Sequence, residues 1–141
     1  MVPGTRIVIE DTAGLILLDF RPDFRVWALP GGACEPDEDA ATSIVREVLE
    51  ESGLIIGAVT PYGFASDPEW ETTEFPNGDI CRNFSLMFTT REYSGTPRPM
   101  DGESLDYRWW DPTDLPEMVP NHRRSVEAWL RWKAGGGFQL I

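Results

Sequence analysis

Three carboxylates within five positions, Glu47, Glu50 and Glu51, stand in a helix-forming run that also carries Arg46 and stops at Gly53. At 3.6 residues per turn they fall within about 100° of one another, so one helix face presents all three. Like charges three and four residues apart cost a few tenths of a kcal/mol each, and the cluster needs a cation to offset them. Hard divalent ions take carboxylate oxygens and keep some of their waters, so a divalent metal is the expected partner.

The elements that must position these acids can be read outward from them. Asp39 suits the helix N-cap, Ala40 and Ala41 favour the first turn, and Gly53 suits the C-terminal position that needs positive φ. Ala41, Ile44, Val45 and Val48 recur at helical spacing and are expected to form the buried stripe beside the acids. Val26 to Leu29 reads as a short strand that enters the helix region through a glycine turn, Pro30-Gly31-Gly32.

Upstream, Thr5 to Glu10 and Leu15 to Asp19 read as strands of a hairpin turned by Asp11-Thr12-Ala13-Gly14, followed by a polar loop from Phe20 to Arg25. Downstream, Leu54 to Ala65 gives one or two strands with a bend, and Ser66 to Asp79 a long surface loop. Ile80 to Thr90 is a strand in which Arg82 shares the side of Phe84, Leu86 and Phe88. Leu105 to Trp110 is a further strand, and Asp111 to Pro116 a short helical turn. A last helix capped by Asn121 carries an apolar face of Val126, Trp129, Leu130 and the Lys133 stem. No repeat or boundary interrupts the chain. One domain over residues 1–141 is expected, of α/β class, with a mixed sheet covered on two faces.

A net charge of −12 over 141 residues excludes an extended nucleic-acid surface, which needs a Lys/Arg-rich face. A phosphate-bearing partner must therefore be met through a cation. Cys34 and Cys81 have no CxxC spacing and read as reduced thiols. No long apolar run suggests a leader or a membrane span, so a cytoplasmic location is the default expectation.

Residues 32 to 54 fit the pattern GX5EX7REUXEEXGU, with U aliphatic, at every specified position: Gly32, Glu38, Arg46, Glu47, Val48, Glu50, Glu51, Gly53 and Leu54. A chance match is on the order of 10⁻⁹ to 10⁻¹⁰ per starting position at ordinary residue usage. The chain thus resembles a Nudix hydrolase, and Trp27 to Gly32 and Arg108 to Pro116 resemble the family's flanking segments. The resemblance implies an α/β/α sandwich with a mixed central β-sheet. It also implies hydrolysis of a phosphoanhydride in a nucleoside diphosphate linked to another moiety, with Mg²⁺ required and Mn²⁺ as a substitute. Carried over by position, Glu47, Glu50 and Glu51 become the metal ligands, joined by a loop carbonyl near Gly32. Gly32, Glu38, Arg46 and Gly53 become structural, with Arg46 pairing Glu38. A homodimer is the family-based expectation for assembly.

The water-activating base is then expected to be a carboxylate, either Glu50 or Glu51 in the box or an acid of a later loop, for which Glu103 is the candidate. His122, the single histidine, reads as a surface or capping residue. For the small nucleotide substrate, Arg82 and Arg21 are the phosphate candidates, with Arg25 behind them. Phe75 and Trp70 are preferred for stacking over Trp27, Tyr62 and Trp109 because they lie in the long loop. The rival reading, a Nudix-like module that senses nucleotides without turnover, is disfavoured because every acid of the box is present.

Overall fold

The computed structural model describes residues 1–141, and its organising strand is β1 (Val2–Ile9). Ile7, Val8 and Ile9 are consecutive, apolar and fully buried, the signature of a strand covered on both faces. Val8 joins one core with Tyr62, Met87, Val126 and Trp129. Ile7 and Ile9 join the other with Ile44, Val48, Leu54 and Phe88.

Both edges of β1 are occupied. Along one runs β8 (Ile80–Thr90), parallel and paired from Val2↔Asn83 to Ile9↔Thr90. Against the other lies β4 (Gly31–Ala33), antiparallel. For that reason the turn at Asp11 does not close a hairpin. Only an isolated bridge, Glu10↔Ile16, survives, and β2 (Ile16–Arg21) departs to a second sheet with β3 (Val26–Ala28) and β10 (Asp106–Trp110).

The central sheet is completed by β6 (Thr60–Ala65), antiparallel to β8, and by β11 (Gln139–Leu140), parallel to β6. A two-residue ladder of β5 (Ile55–Ile56) and β9 (Tyr93–Ser94) stands apart. Helix α1 (Ala40–Ser52) covers one face and α3 (Pro120–Arg131) the other, giving the mixed α/β/α sandwich. The ends of α1 follow the sequence: Asp39 accepts from the Thr42 N–H at 2.7 Å, and Gly53 has φ +78°. Ala41 is exposed, however, so Ile44 and Val48 make the buried stripe, with Val45 half-buried.

Two other expectations are corrected. The segment from Ser66 to Asp79 is not a plain loop: it contains α2 (Pro68–Glu71) and β7 (Thr72–Glu74), which pairs with β8. The cause is Arg6, buried in the middle of β1, whose guanidinium needs a partner there. Glu71 supplies it, fully buried, with Asn121 and Ser125 bonding into the same network. Asn121 consequently sits inside the first turn of α3, and Val119 takes the cap position. Asp111 to Pro116 makes a single turn built on the Asp111 carboxylate, which accepts from the Thr113 N–H at 2.8 Å.

Removing one partner of such a buried pair strands the other charge. Glu71→Ala is expected to cost about 3–5 kcal/mol in urea denaturation. The double replacement Arg6→Met with Glu71→Leu should lose less than Glu71→Ala alone. Equal losses would show that the pair is not the anchor of this segment.

Candidate active site

Two residues without side chains, Gly31 and Gly32, let β4 close on β1 and the acid-bearing helix close on β4. A Cβ at Gly31 would lie 2.1 Å from the Thr5 carbonyl oxygen, and one at Gly32 would lie 2.5 Å from the Glu47 carboxyl carbon. Neither glycine has positive φ, so they serve close approach, not turn geometry. Arg46 then fixes the loop leading into α1: its Nε donates to Glu38 Oε2 at 2.9 Å and its Nη2 to Glu38 Oε1 at 2.6 Å. This bidentate pair holds the Glu38 carboxyl down to about 2.

The three acids of the cluster take different environments. Glu51 is only 4% exposed, and burial, with the Glu47 carboxyl bonded beside it and Asp19 nearby, pushes it up to about 10. Glu47 lies against Gly32 and touches Arg46 at 3.1 Å. Glu50 is turned away, exposed and held by Arg46 at 3.1 Å. No three acids, histidines or cysteines converge on one point. The structure brings together Glu47 and Glu51 and leaves Glu50 exposed at the helix surface, with Arg46 touching both Glu47 and Glu50 at 3.1 Å.

Near Glu51 lies a second buried acid that is not among the candidates above. Asp19 is 1% exposed, and burial raises it to about 7. Ser104 donates to Asp19 Oδ2 at 3.4 Å, while Oδ1 has no partner. Its signal was available: a charged residue in strand phase with the core-facing Leu17. The buried Glu51 carboxyl and the unpartnered Asp19 Oδ1 are hard oxygens without a cation partner, which is the donor chemistry a divalent ion takes. Glu47 and Glu51 are the residues that would hold it.

On the other side of Gly32 a cavity of about 200 Å³ opens, lined among others by Arg6, Arg21, Phe75, Asn83, Asn121 and His122. Arg21 is braced there by Asp23. Phe75 lies 5.5 Å from Phe24, another wall residue. Arg82 is not part of it: the cavity takes Asn83 and Ser85, and Arg82 stands on the opposite side of β8, over the Phe84 ring and bonded to the Ser66 carbonyl. Arg82 does share a side of β8 with Phe84, but that side faces away from the cavity.

His122 is neither surface nor cap. Its Nδ1 accepts the Leu29 N–H at 3.0 Å, and burial, reinforced by Arg6 and Arg21, holds its pKa well below the usual value. The ring is neutral and carries its proton on Nε2. No local pattern announces this, because it depends on α3 docking against the β3–β4 turn. Of the remaining aromatics, Trp27 packs on Phe20 and Trp110, Trp109 on Tyr93, and Tyr62 is fully buried. Trp70 is 42% exposed beside Arg124, outside the cavity wall, and Arg25 is exposed with φ +53°. In the loop after β9, Glu103 is exposed, and Asp101 is the acid whose charge reaches Glu51 and Asp19.

A helix that carries buried acids against glycine backbone, next to a cavity with arginines, defines a site for anionic substrates. Residues 2–130 match the NUDIX domain model, and the chain belongs to that family. A relative from Bacillus subtilis, provisionally named an 8-oxo-dGTP diphosphatase, is 30% identical over 125 residues, covering 87% of this chain and 76% of that protein. An ADP-ribose pyrophosphatase from Methanocaldococcus jannaschii is 29% identical, covering 77% of this chain and 60% of that protein. The crystal structure of a Streptococcus suis ADP-ribose pyrophosphatase superposes with a TM-score of 0.76 at 23% identity, covering 99% of this chain and 96% of that one. The protein is a nucleotide pyrophosphohydrolase, a hydrolase of acid anhydrides that uses divalent metal ions. No helix is long and apolar enough to cross a membrane.

The raised Glu51 carboxyl has a consequence for stability. In the unfolded chain it ionises near 4.5, whereas the folded state keeps its proton up to about 10, so its ionisation opposes folding increasingly as pH rises between those values. In EDTA, the melting temperature of Glu51→Gln is expected to gain on the wild type from pH 5 to pH 9. Parallel curves in differential scanning fluorimetry would contradict the placement of Glu51.

Proposed function

We propose that this chain, acting as a single domain over residues 1–141, hydrolyses a phosphoanhydride of a small nucleotide with Mg²⁺ as its cation and Mn²⁺ as a substitute. The observation that carries the reading is Gly32, whose backbone meets the Glu47 carboxylate and also walls the cavity. A substrate seated in that cavity presents its phosphates to the acid-bearing helix. The names of the relatives, an 8-oxo-dGTP diphosphatase and an ADP-ribose pyrophosphatase, support the nucleotide class.

At about 200 Å³ the cavity is smaller than the roughly 300–1,000 Å³ of pockets that enclose a whole drug-sized ligand. It takes one ring-sized part, base or sugar, and leaves the phosphates on the rim. Phe75 and Phe24 offer aromatic surface, Arg21 a fixed cation, and His122 a neutral Nε2–H donor. When bound, the divalent ion supplies charge against the developing negative oxygens and lowers the pKa of a water. Glu47 and Glu51 would hold it, Arg46 and Glu38 keep α1 in place, and Glu50 is available at the helix surface. The loop after β9 provides the acid that takes the proton, with Glu103 and Asp101 as the two candidates.

A nucleotide panel with Mg²⁺, read by product chromatography, tests this. Turnover of at least one member, abolished by EDTA and reduced about 10²-fold or more in Glu51→Gln, is expected. Glu103→Gln and Asp101→Asn, assayed side by side, should single out one loop acid by a similar loss. Binding without turnover across the panel would instead indicate a nucleotide-sensing module.

A further inference from the structure

The donors on the wall of the cavity beside Gly32 are mostly engaged within the protein. Arg6 bonds to Glu71 and Ser125, Asn121 gives its amide to Glu71, Asn83 gives its amide to Thr73, and Arg21 is braced on Asp23. His122 is different. Its Nδ1 accepts the Leu29 N–H at 3.0 Å, and a nitrogen that accepts carries no proton, so the ring proton sits on Nε2. That Nε2–H bonds to nothing in the protein and is not sealed from the surface, and the cavity is the space that its ring lines. A donor left in this way awaits an acceptor.

The position of this donor is set from several sides. The His122 backbone N–H bonds to the Val119 carbonyl at 3.0 Å, and the Val119 N–H to the Trp27 carbonyl at 2.9 Å. Asn121, its neighbour, is held by the buried Glu71. The Leu29 contact ties the ring to the turn that continues into Gly32, on which the Glu47 carboxylate rests. In the same cavity Phe24 and Phe75 pack at 5.5 Å, and aromatic surface of this kind favours a planar ring over a puckered sugar. A nucleobase suits that wall. To an N–H that only donates, a base with a carbonyl oxygen brings an acceptor, whereas an amino group sets donor against donor.

We propose that His122 is a specificity-determining residue of this hydrolase: its Nε2–H donates to a carbonyl oxygen of the substrate's base, so that the site prefers oxo bases to their amino counterparts. The inference rests on the nucleotide hydrolysis proposed above and adds which part of the substrate enters the cavity and which group on it is read. Burial, with Arg6 and Arg21 nearby, holds the His122 pKa well below the usual value, in keeping with a ring that stays a neutral donor.

The test uses the full chain with Mg²⁺ and two pairs of nucleoside triphosphates that carry an oxo or an amino group at one ring position, inosine against adenosine and uridine against cytidine. In at least one pair, kcat/KM of the wild type for the oxo member is expected to exceed that for the amino member about tenfold or more. His122→Asn keeps an oxygen where Nδ1 accepts the Leu29 N–H and has no group at the Nε2 position. Its oxo-to-amino ratio should fall about tenfold, mainly through KM. His122→Gln returns a donor near Nε2 and should recover part of the ratio, which a merely structural role would not give. If His122→Asn does not fold, inosine triphosphate against purine riboside triphosphate, which lacks the oxygen, decides on the wild type by the same tenfold margin. A wild type that does not distinguish the pairs, or that turns over neither while hydrolysing other nucleotides, overturns the assignment and leaves nucleotide hydrolysis standing. A ratio unchanged in His122→Asn does the same. No turnover of any nucleotide with Mg²⁺ overturns both.

Discussion

The whole site depends on an absence of side chains at Gly31 and Gly32. Helix α1 lies close enough to β4 for Glu47 to rest on the strand backbone, and any Cβ at position 32 would occupy the space of that carboxylate. Gly32 fixes the height of the helix above the sheet, and Gly31 lets β4 close on the backbone of β1. Arg46 and Glu38 fix the path of the chain between them. From these contacts it follows that Glu51, one turn on, is pressed into the interior beside Asp19. The strained electrostatics of the centre are thus a consequence of backbone packing, and need no separate explanation.

The interior contains two charged systems that resolve burial in opposite ways. Arg6, Glu71, Asn121 and Ser125 close on themselves, each charge answered by a partner within the protein. They lock α2, α3 and β1 together and form the firm rear wall of the cavity. Asp19, Glu47 and Glu51 are answered only in part: Ser104 bonds to Asp19, Arg21 acts on it at longer range, and Arg46 touches Glu47 at 3.1 Å. A matched network makes framework. An unmatched one stores affinity for an external cation, because the cost of burying the acids is recovered when the ion binds.

How much of this was legible follows from the range of the forces involved. Helix α1, its Asp39 and Gly53 ends, the Glu38–Arg46 pair and the long strand β8 depend on neighbours within a few residues, and the sequence displays them. The site acids Glu47 and Glu51 were visible as a pattern, but their division from Glu50 was not, since it turns on which acid the folded core buries. His122, Asn121 and Arg6 were unreadable because their partners lie 93, 50 and 65 positions away. The hairpin expectation failed for a similar reason: local turn chemistry at Asp11 was outweighed by the pairing of β1 with strands on both its edges. Arg82 shows the limit of phase alone, which tells which residues share a side but not which side meets the cavity.

The parallel pairing of β1 with β8 also has a meaning in time. Val2 meets Asn83 and Ile9 meets Thr90, so the central strand of the sheet waits for more than eighty further residues before its main partner exists. Contacts of such sequence separation close late, after the loop entropy of the intervening chain has been overcome. Helix α1 and its Arg46–Glu38 clamp need no such delay. On a chain emerging from the ribosome, the acid-bearing helix is therefore complete in sequence well before β8, the main partner of the central strand, has been made.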